Sequence, residues 1–331
     1  MKSFAQVIKE IEGQKVSLLL GNGFSQAWDY NIFNYKNLLA SANFGSRDQA
    51  IKSIFHKLGT YDFEAVMQTM ISSIYVSQSF NEYPVFVKGI QLDAEKLNST
   101  LVTTIAKTHP RLPSNITNEE YKLARKFLNS FNKIFTLNYD LLMYWARNKS
   151  ELEPDNFTTD DGFRAHLTWT GEEANQNVFF LHGGLHLYDE GGVIKKHAYT
   201  DNGETIIDKV KANLDRRNFP IFVAEPDYQK KLDKILHNPY LNYCYTQLGN
   251  ISDSLVIYGH SMDETDTHIF DKVGKSGVRD VYISIYGDAN STENRRTKAN
   301  AASYFESCNV HFYEAESTPI WNDSTTVVNL T

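Results

Sequence analysis

Residues 17–29 read SLLLGNGFSQAWD. Four residues suited to a buried strand, Ser17 to Leu20, stop at Gly21-Asn22-Gly23, and the chain beyond looks ready to become a helix. Glycines at 21 and 23 permit a tight turn and the close approach of a phosphate to backbone N–H groups at a helix start. The stretch is neither the dehydrogenase fingerprint nor a Walker loop. Gln26 stands where a third glycine belongs, no clean acidic residue follows about 20 positions on, and no G-K-[ST] is present. Alone, a G-x-G after a strand is more often just a turn, so the rest of the chain has to decide.

That chain has 331 residues, 41% hydrophobic and 13% aromatic, enough for a full core. Charged residues make up 22%, near the globular average. A net charge of -7 argues against a protein that holds nucleic acid by electrostatics alone, and direct nucleic-acid binding is not expected. The two cysteines, Cys244 and Cys308, cannot build a four-cysteine zinc site and fit a reduced compartment. The N-terminus MKSFAQVIKEIEG does not read as a signal peptide, and no run approaches the ~18 apolar residues of a membrane helix. A soluble cytoplasmic protein is expected, with no membrane partner.

Periodicity predicts an amphipathic helix over 2–12 and a first strand over 15–20. From about 47 to 131 the pattern is helical, with Thr117 and Glu120 forming a capping box ahead of an apolar stripe. β-like runs then recur at 133–137, 177–181, 221–224, 254–258, 280–286 and 309–315. Several are apolar without alternation, as strands covered on both faces are. Helical candidates lie between them, notably YQKKLDKILHNPYLNYCYTQLGN and STENRRTKANAASYFESC. The expected fold is α/β, a Rossmann-like doubly wound and mostly parallel sheet, in one domain spanning 1–331 with a helical insertion at about 45–131 after the first strand. The stretches 148–162 and 189–193 read as surface loops.

In such a sheet ligands bind beyond the carboxyl ends of the strands. The residues there are Gly21-Asn22-Gly23-Phe24-Ser25, Asn138-Tyr139-Asp140, His182-Gly183-Gly184 and Gly259-His260-Ser261. Each end brings small residues that let a ligand near the backbone, or a polar side chain able to do chemistry.

The motifs G-x-G-x-S (Gly21 to Ser25), T-x-N-x-D (Thr136 to Asp140), a strand ending in His182-Gly183, and G-x-S (Gly259 to Ser261) resemble, in the same order, the NAD-binding and catalytic motifs of sirtuins. The closer resemblance is to the sirtuin-like domains of bacterial antiviral defence proteins, through YDFEAVMQ (61–68), LHGGLHLY (181–188) and GHSMDETDTHI (259–269). The resemblance implies a Rossmann-like sheet with a helical insertion. It implies cleavage of NAD, as substrate, to nicotinamide and ADP-ribose in response to phage, in a homo-oligomer with a HerA-type hexameric ATPase as partner. Protein-deacylating sirtuins usually carry a four-cysteine zinc module that two cysteines cannot supply, which favours a hydrolase over a deacylase.

Cleaving the bond between a cationic nicotinamide and ribose requires orienting the ribose, placing water and stabilising developing charge. Asn138 suits orientation and water, because its amide both donates and accepts, and His182 suits proton transfer. Asp140 either holds the Asn138 loop or the nicotinamide amide, or caps the next helix. Ser25 and Ser261 are placed to bond phosphate or ribose, with capping as the alternative, and Phe24 is the candidate wall of the nicotinamide pocket. Asp266 and His268 either reach the site from the following helix or lie on its surface face, the commoner outcome. His182 and His186 are four apart but sit in strand and turn, so no metal is expected. A sensor that binds NAD or ADP-ribose without turnover, a deacylase and an ADP-ribosyltransferase remain as alternatives.

Overall fold

In the computed structural model, residues 1–80, 84–149, 151–171, 175–198, 204–216, 219–225 and 227–323 are described. The apolar runs form β1 (Val16–Leu20), β2 (Lys133–Thr136), β3 (Val178–Phe180), then a separate hairpin β4 (Leu187–Glu190) and β5 (Val193–Lys196), then β6 (Ser252–Tyr258), β7 (Gly277–Ile285) and β8 (Asn309–Glu314). Six of them make one sheet in the order β3-β2-β1-β6-β7-β8, and every pairing in it is parallel. All five residues of β1 are buried, the signature of a central strand with helices on both faces. The α/β, Rossmann-like architecture is as the sequence predicts.

The order places a topological switch between β1 and β6. The chain winds outward from β1 through β2 to β3, then returns to β6 on the other side of β1 and winds outward again. Ligand crevices form at such a reversal, outside the carboxyl ends of the strands. Register sharpens this: Leu20 pairs with both Thr136 and Tyr258, and Thr136 with Phe180. The four strand-end loops therefore leave the sheet at one level.

Between β1 and β2 the chain is helical, chiefly Asp48–Leu58, Phe63–Ser79, Pro84–Thr108 and Asn118–Leu128. The last of these begins at the Thr117–Glu120 capping box read in the sequence. One local reading needs correction, and two others gain detail. Residues 221–224 form no sheet strand: they follow Pro220 and lie against the chain after β3, with Val223 N–H donating to the His182 carbonyl and Gly184 N–H to that of Ile221. Residues 189–193 are the tip of the β4–β5 hairpin, turning at Gly191-Gly192, both at positive φ. The long helical candidate before β6 is two helices, Tyr228–His237 and Pro239–Leu248, broken where Asn238 caps the second and Pro239 opens it. No helix among the described residues is long and apolar enough to cross a membrane.

Candidate functional site

A cavity of about 330 Å³ opens at the β1/β6 switch point. Its sheet side is lined by Gly21, Asn22 and Gly23 after β1, Asn138, Tyr139 and Asp140 after β2, His182 after β3, and Gly259, His260 and Ser261 after β6. The insertion covers the opposite side with Asp62, Glu64, Leu101, Ile105 and Thr108. Eight of the ten residues singled out from the sequence as site candidates thus meet in one place. The other two, Phe24 and Ser25, do not line it.

The glycines at 21, 23 and 259 are required by a close approach of backbone to backbone. Gly259 sits at φ +68°, and a Cβ there would lie 2.5 Å from the Cα of Gly23. The loops after β1 and β6 therefore interlock backbone to backbone. Their amides are already spent: Gly21 N–H donates to the Tyr258 carbonyl and Gly23 N–H to that of Gly259. The helix that follows, Gly23–Gln26, is a single turn. The Gly21 and Gly23 amides are therefore not free to meet a phosphate at the helix start, and these glycines shape the cavity floor.

Phe24 is also corrected. It is fully buried, with its ring 5.1 Å from that of Trp321 and its carbonyl accepting from the Trp321 indole N–H at 2.8 Å. The tight turn sends this side chain back into the core. Ser25, equally buried, works behind the cavity wall. Its hydroxyl donates to Asp140 Oδ2 at 2.5 Å and accepts from the Asn138 amide at 3.0 Å. Asp140 Oδ1 accepts from Leu142 N–H at 2.8 Å, so this carboxylate both takes the first N–H of the Leu142–Asn148 helix, whose N-cap is Leu141, and steadies Ser25. Burial raises the Asp140 pKa, and the Ser25 and Leu142 hydrogen bonds offset part of the rise. The backbone N–H of Asn138 donates to the Thr136 hydroxyl, which completes the T-x-N-x-D motif as one hydrogen-bonded unit.

The insertion braces that unit. His109, just beyond the Pro84–Thr108 helix, accepts from Leu141 N–H through Nε2 at 2.9 Å, and its Nδ1 lies 2.8 Å from the Pro110 carbonyl. These partners require the neutral Nδ1–H tautomer. Burial agrees, pushing its pKa down to about 4.

A second polar group stands around His182. Asp266 Oδ2 is 3.1 Å from His260 Nε2, and Asp266 Oδ1 is 2.9 Å from Lys231 Nζ and 3.8 Å from His182 Nε2. Lys231, 1% exposed, also reaches Glu64 at 2.7 Å. Burial opposes ionisation of Asp266, yet Lys231 and the His260 hydrogen bond hold it well below the usual carboxylate range. Glu64 goes the other way: burial pushes it up to about 7 against the pull of Lys231, with the charges of Asp266 and Asp62 adding to the rise. Burial likewise drives His182 well below its ordinary value and His268 down to about 4, although Asp266 partly counters both. At neutral pH both imidazoles are uncharged.

Asp266 and His268 are thus buried beside His182 and do not form a surface face. Sequence reasoning passed over Glu64, Lys231 and His109 as site residues. Glu64 lies in YDFEAVMQ, but its meeting with Lys231, 167 positions on, leaves no local pattern. His182, Asp266 and His268 offer ligand atoms within 4.8 Å of one another. They do not form a ready metal site, because the His182 and His268 Nε2 atoms face each other at 3.4 Å while Asp266 is engaged by Lys231 and His260. His186 is packed against Tyr144 and Phe180 in the core, away from His182's neighbours.

The family model described as a domain of unknown function, DUF4917, matches residues 18–321, nearly the whole chain. The chain belongs to that family. Its described site lies entirely within the matched span. No curated protein matches the chain. Among solved structures, the chain is similar to Sir2Tm bound to a propionylated peptide, at 12% identity over 98% of this chain and 95% of that one, with a TM-score of 0.38. A sirtuin studied for substrate affinity matches at 12% identity, 95% and 93% coverage and a TM-score of 0.38. A mutant Sir2 homologue in complex with ADP-ribose matches at 12%, 91% and 96%, with a TM-score of 0.32.

Proposed function

We propose that this DUF4917 chain binds NAD in the switch-point cavity and cleaves its nicotinamide–ribose bond, releasing nicotinamide and ADP-ribose. The observation that carries the reading is the convergence of Gly21–Gly23, Asn138–Asp140, His182 and Gly259–Ser261 on one cavity at the ends of parallel strands. These are the residues through which the sequence resembles the NAD-cleaving sirtuin-like proteins.

In this reading Asn138 orients the ribose and a water, its amide pre-set by Ser25. His182 engages a ribose oxygen from the adjacent strand end. Asp266 after β6, held ionised by Lys231, and the acidic side chains of Asp62 and Glu64 from the insertion line the cavity together and suit it to a cationic pyridinium and to the oxocarbenium-like charge that develops as it leaves. A defence role, with NAD depletion during phage infection by a homo-oligomer paired with a HerA-type ATPase, follows from the motif resemblance.

The test is nicotinamide release from NAD by the purified protein and, if that is silent, by the protein with its ATPase partner. Asn138→Ala and His182→Ala are expected to lower release by ~10²–10⁴-fold, the range for removing a group acting in the transition state. Release unaffected by either substitution, or no NAD binding by calorimetry, overturns the reading.

A further inference from the structure

Behind the cavity, His182 and His268 meet edge to edge. Their Nε2 atoms are 3.4 Å apart, their ring centres 5.6 Å apart, and their planes within 14° of each other. Each ring therefore aims its Nε2 at the other in nearly one plane, the arrangement of an N–H···N hydrogen bond. Two neutral imidazoles can share only one proton there, so one ring donates and the other accepts.

The surroundings decide which. His268 Nδ1 is buried with no hydrogen-bond partner. Were the His268 proton on Nδ1, a buried N–H would be orphaned, the rarer and costlier defect. With the proton on Nε2, only an acceptor lone pair goes unmet. His268 therefore donates, and His182 Nε2 accepts. Asp266 does not reverse the choice, because its oxygens already accept from Lys231 and His260 and the nearer one is 3.8 Å from His182 Nε2. The other charged and titratable groups near the pair are Lys231 and His260, while Tyr139 flanks His182 and Tyr245 flanks His268.

We propose that His268 is a positioning residue that fixes His182 in its Nδ1–H tautomer, so that in the resting protein His182 presents a hydrogen-bond donor to the cavity and not a base. His182 lines the cavity and His268 occupies its Nε2, which leaves Nδ1–H as the group available to a ligand. The acceptor it suits is an ether or hydroxyl oxygen of a sugar. The sugar is named from the NAD reading, on which only that part of the inference rests.

The test reads the proton directly, by long-range ¹H–¹⁵N correlation on the full-length protein labelled in its 10 histidines, without ligand and near neutral pH. Signals of the pair are assigned with His182→Asn and His268→Gln. His182 is expected to show a protonated Nδ1 and a bare Nε2. His268→Gln, whose amide can still donate to Nε2, is expected to preserve that pattern. His268→Leu is expected to lose it, as Nε2 becomes free to carry a proton toward Asp266. Calorimetry is expected to show NAD bound about tenfold more weakly by His268→Leu, the loss of roughly one hydrogen bond, and nearly unchanged by His268→Gln. A proton on His182 Nε2 in the wild type overturns the proposal, as does an unchanged His182 tautomer in His268→Leu. If the tautomers are as stated but NAD neither binds nor is cleaved, the proposed function fails and the His268 inference stands.

Discussion

Ser25 shows how much one small side chain carries. From the sequence it reads as a phosphate ligand or a cap, yet it is wholly buried and joins Asn138 to Asp140 through one hydroxyl. Replacing it by alanine leaves a buried amide and a buried carboxylate each short of a partner, at a cost of about 1–3 kcal/mol. Ser25→Ala is therefore expected to lower the urea midpoint measurably. Because Asn138 loses its orientation, any NAD cleavage should fall further than stability alone explains. Ser25→Thr is expected to rescue only in part, because it keeps the hydroxyl but adds a methyl to a side chain that is wholly buried. Asn138, His182 and Gly259 were legible as single residues because a strand end advertises them. Ser25 was half legible: its position was marked, its partners were not.

Among elements, the link that matters most joins the insertion to the sheet. Lys231 in the Tyr228–His237 helix is gripped by Glu64 of the Phe63–Ser79 helix and by Asp266 after β6. Lys231 pulls the Glu64 pKa down, so removing the ammonium leaves Glu64 protonated and Asp266 as a buried charge without its cation. Lys231→Met is expected to cost about 3–5 kcal/mol, the usual penalty for uncompensated buried charge. The double variant Lys231→Met, Glu64→Gln is expected to lose about as much, since without the lysine Glu64 is already neutral near pH 7. A denaturant series on the three proteins checks this, and a clearly smaller loss in the double variant would show that Glu64 stays charged without the lysine. The helical character of the insertion was plain in its periodicity. That it delivers Glu64 and His109 to the strand ends was not, because both contacts depend on how the helices cross the sheet.

At the scale of the molecule, the buried titratable groups pull stability in opposite directions with pH. Glu64 sits at about 7 in the folded state against an ordinary 4.5. The folded protein therefore holds a proton that the unfolded chain releases, and the Glu64 contribution declines as pH rises from about 4.5 to about 7. His109, His197 and His268 sit at about 4 against an ordinary 6.5. Their contribution is complete above about 6.5 and is lost as pH falls toward about 4. The wild type is expected to lose stability steeply on acidification from about pH 6.5, through its buried neutral histidines. The difference between wild type and Glu64→Gln isolates the carboxyl: the advantage of the wild type should shrink between about pH 5 and pH 7.5. Urea midpoints at the two pH values measure it, and a constant difference would mean that Glu64 titrates as an ordinary carboxyl.

By itself, the sequence determined the succession of buried strands and helices and the four polar strand ends, because burial, helical period and cap chemistry are written within a few residues of one another. A parallel sheet with equal register then brought those ends together at the β1/β6 reversal. Only the tertiary structure decided what each end does there. It locked Gly23 against Gly259, turned Phe24 into the core, and set His268 behind His182 and Lys231 between two acids. Those outcomes depend on contacts between residues up to hundreds of positions apart, where distance in the chain says nothing about distance in space.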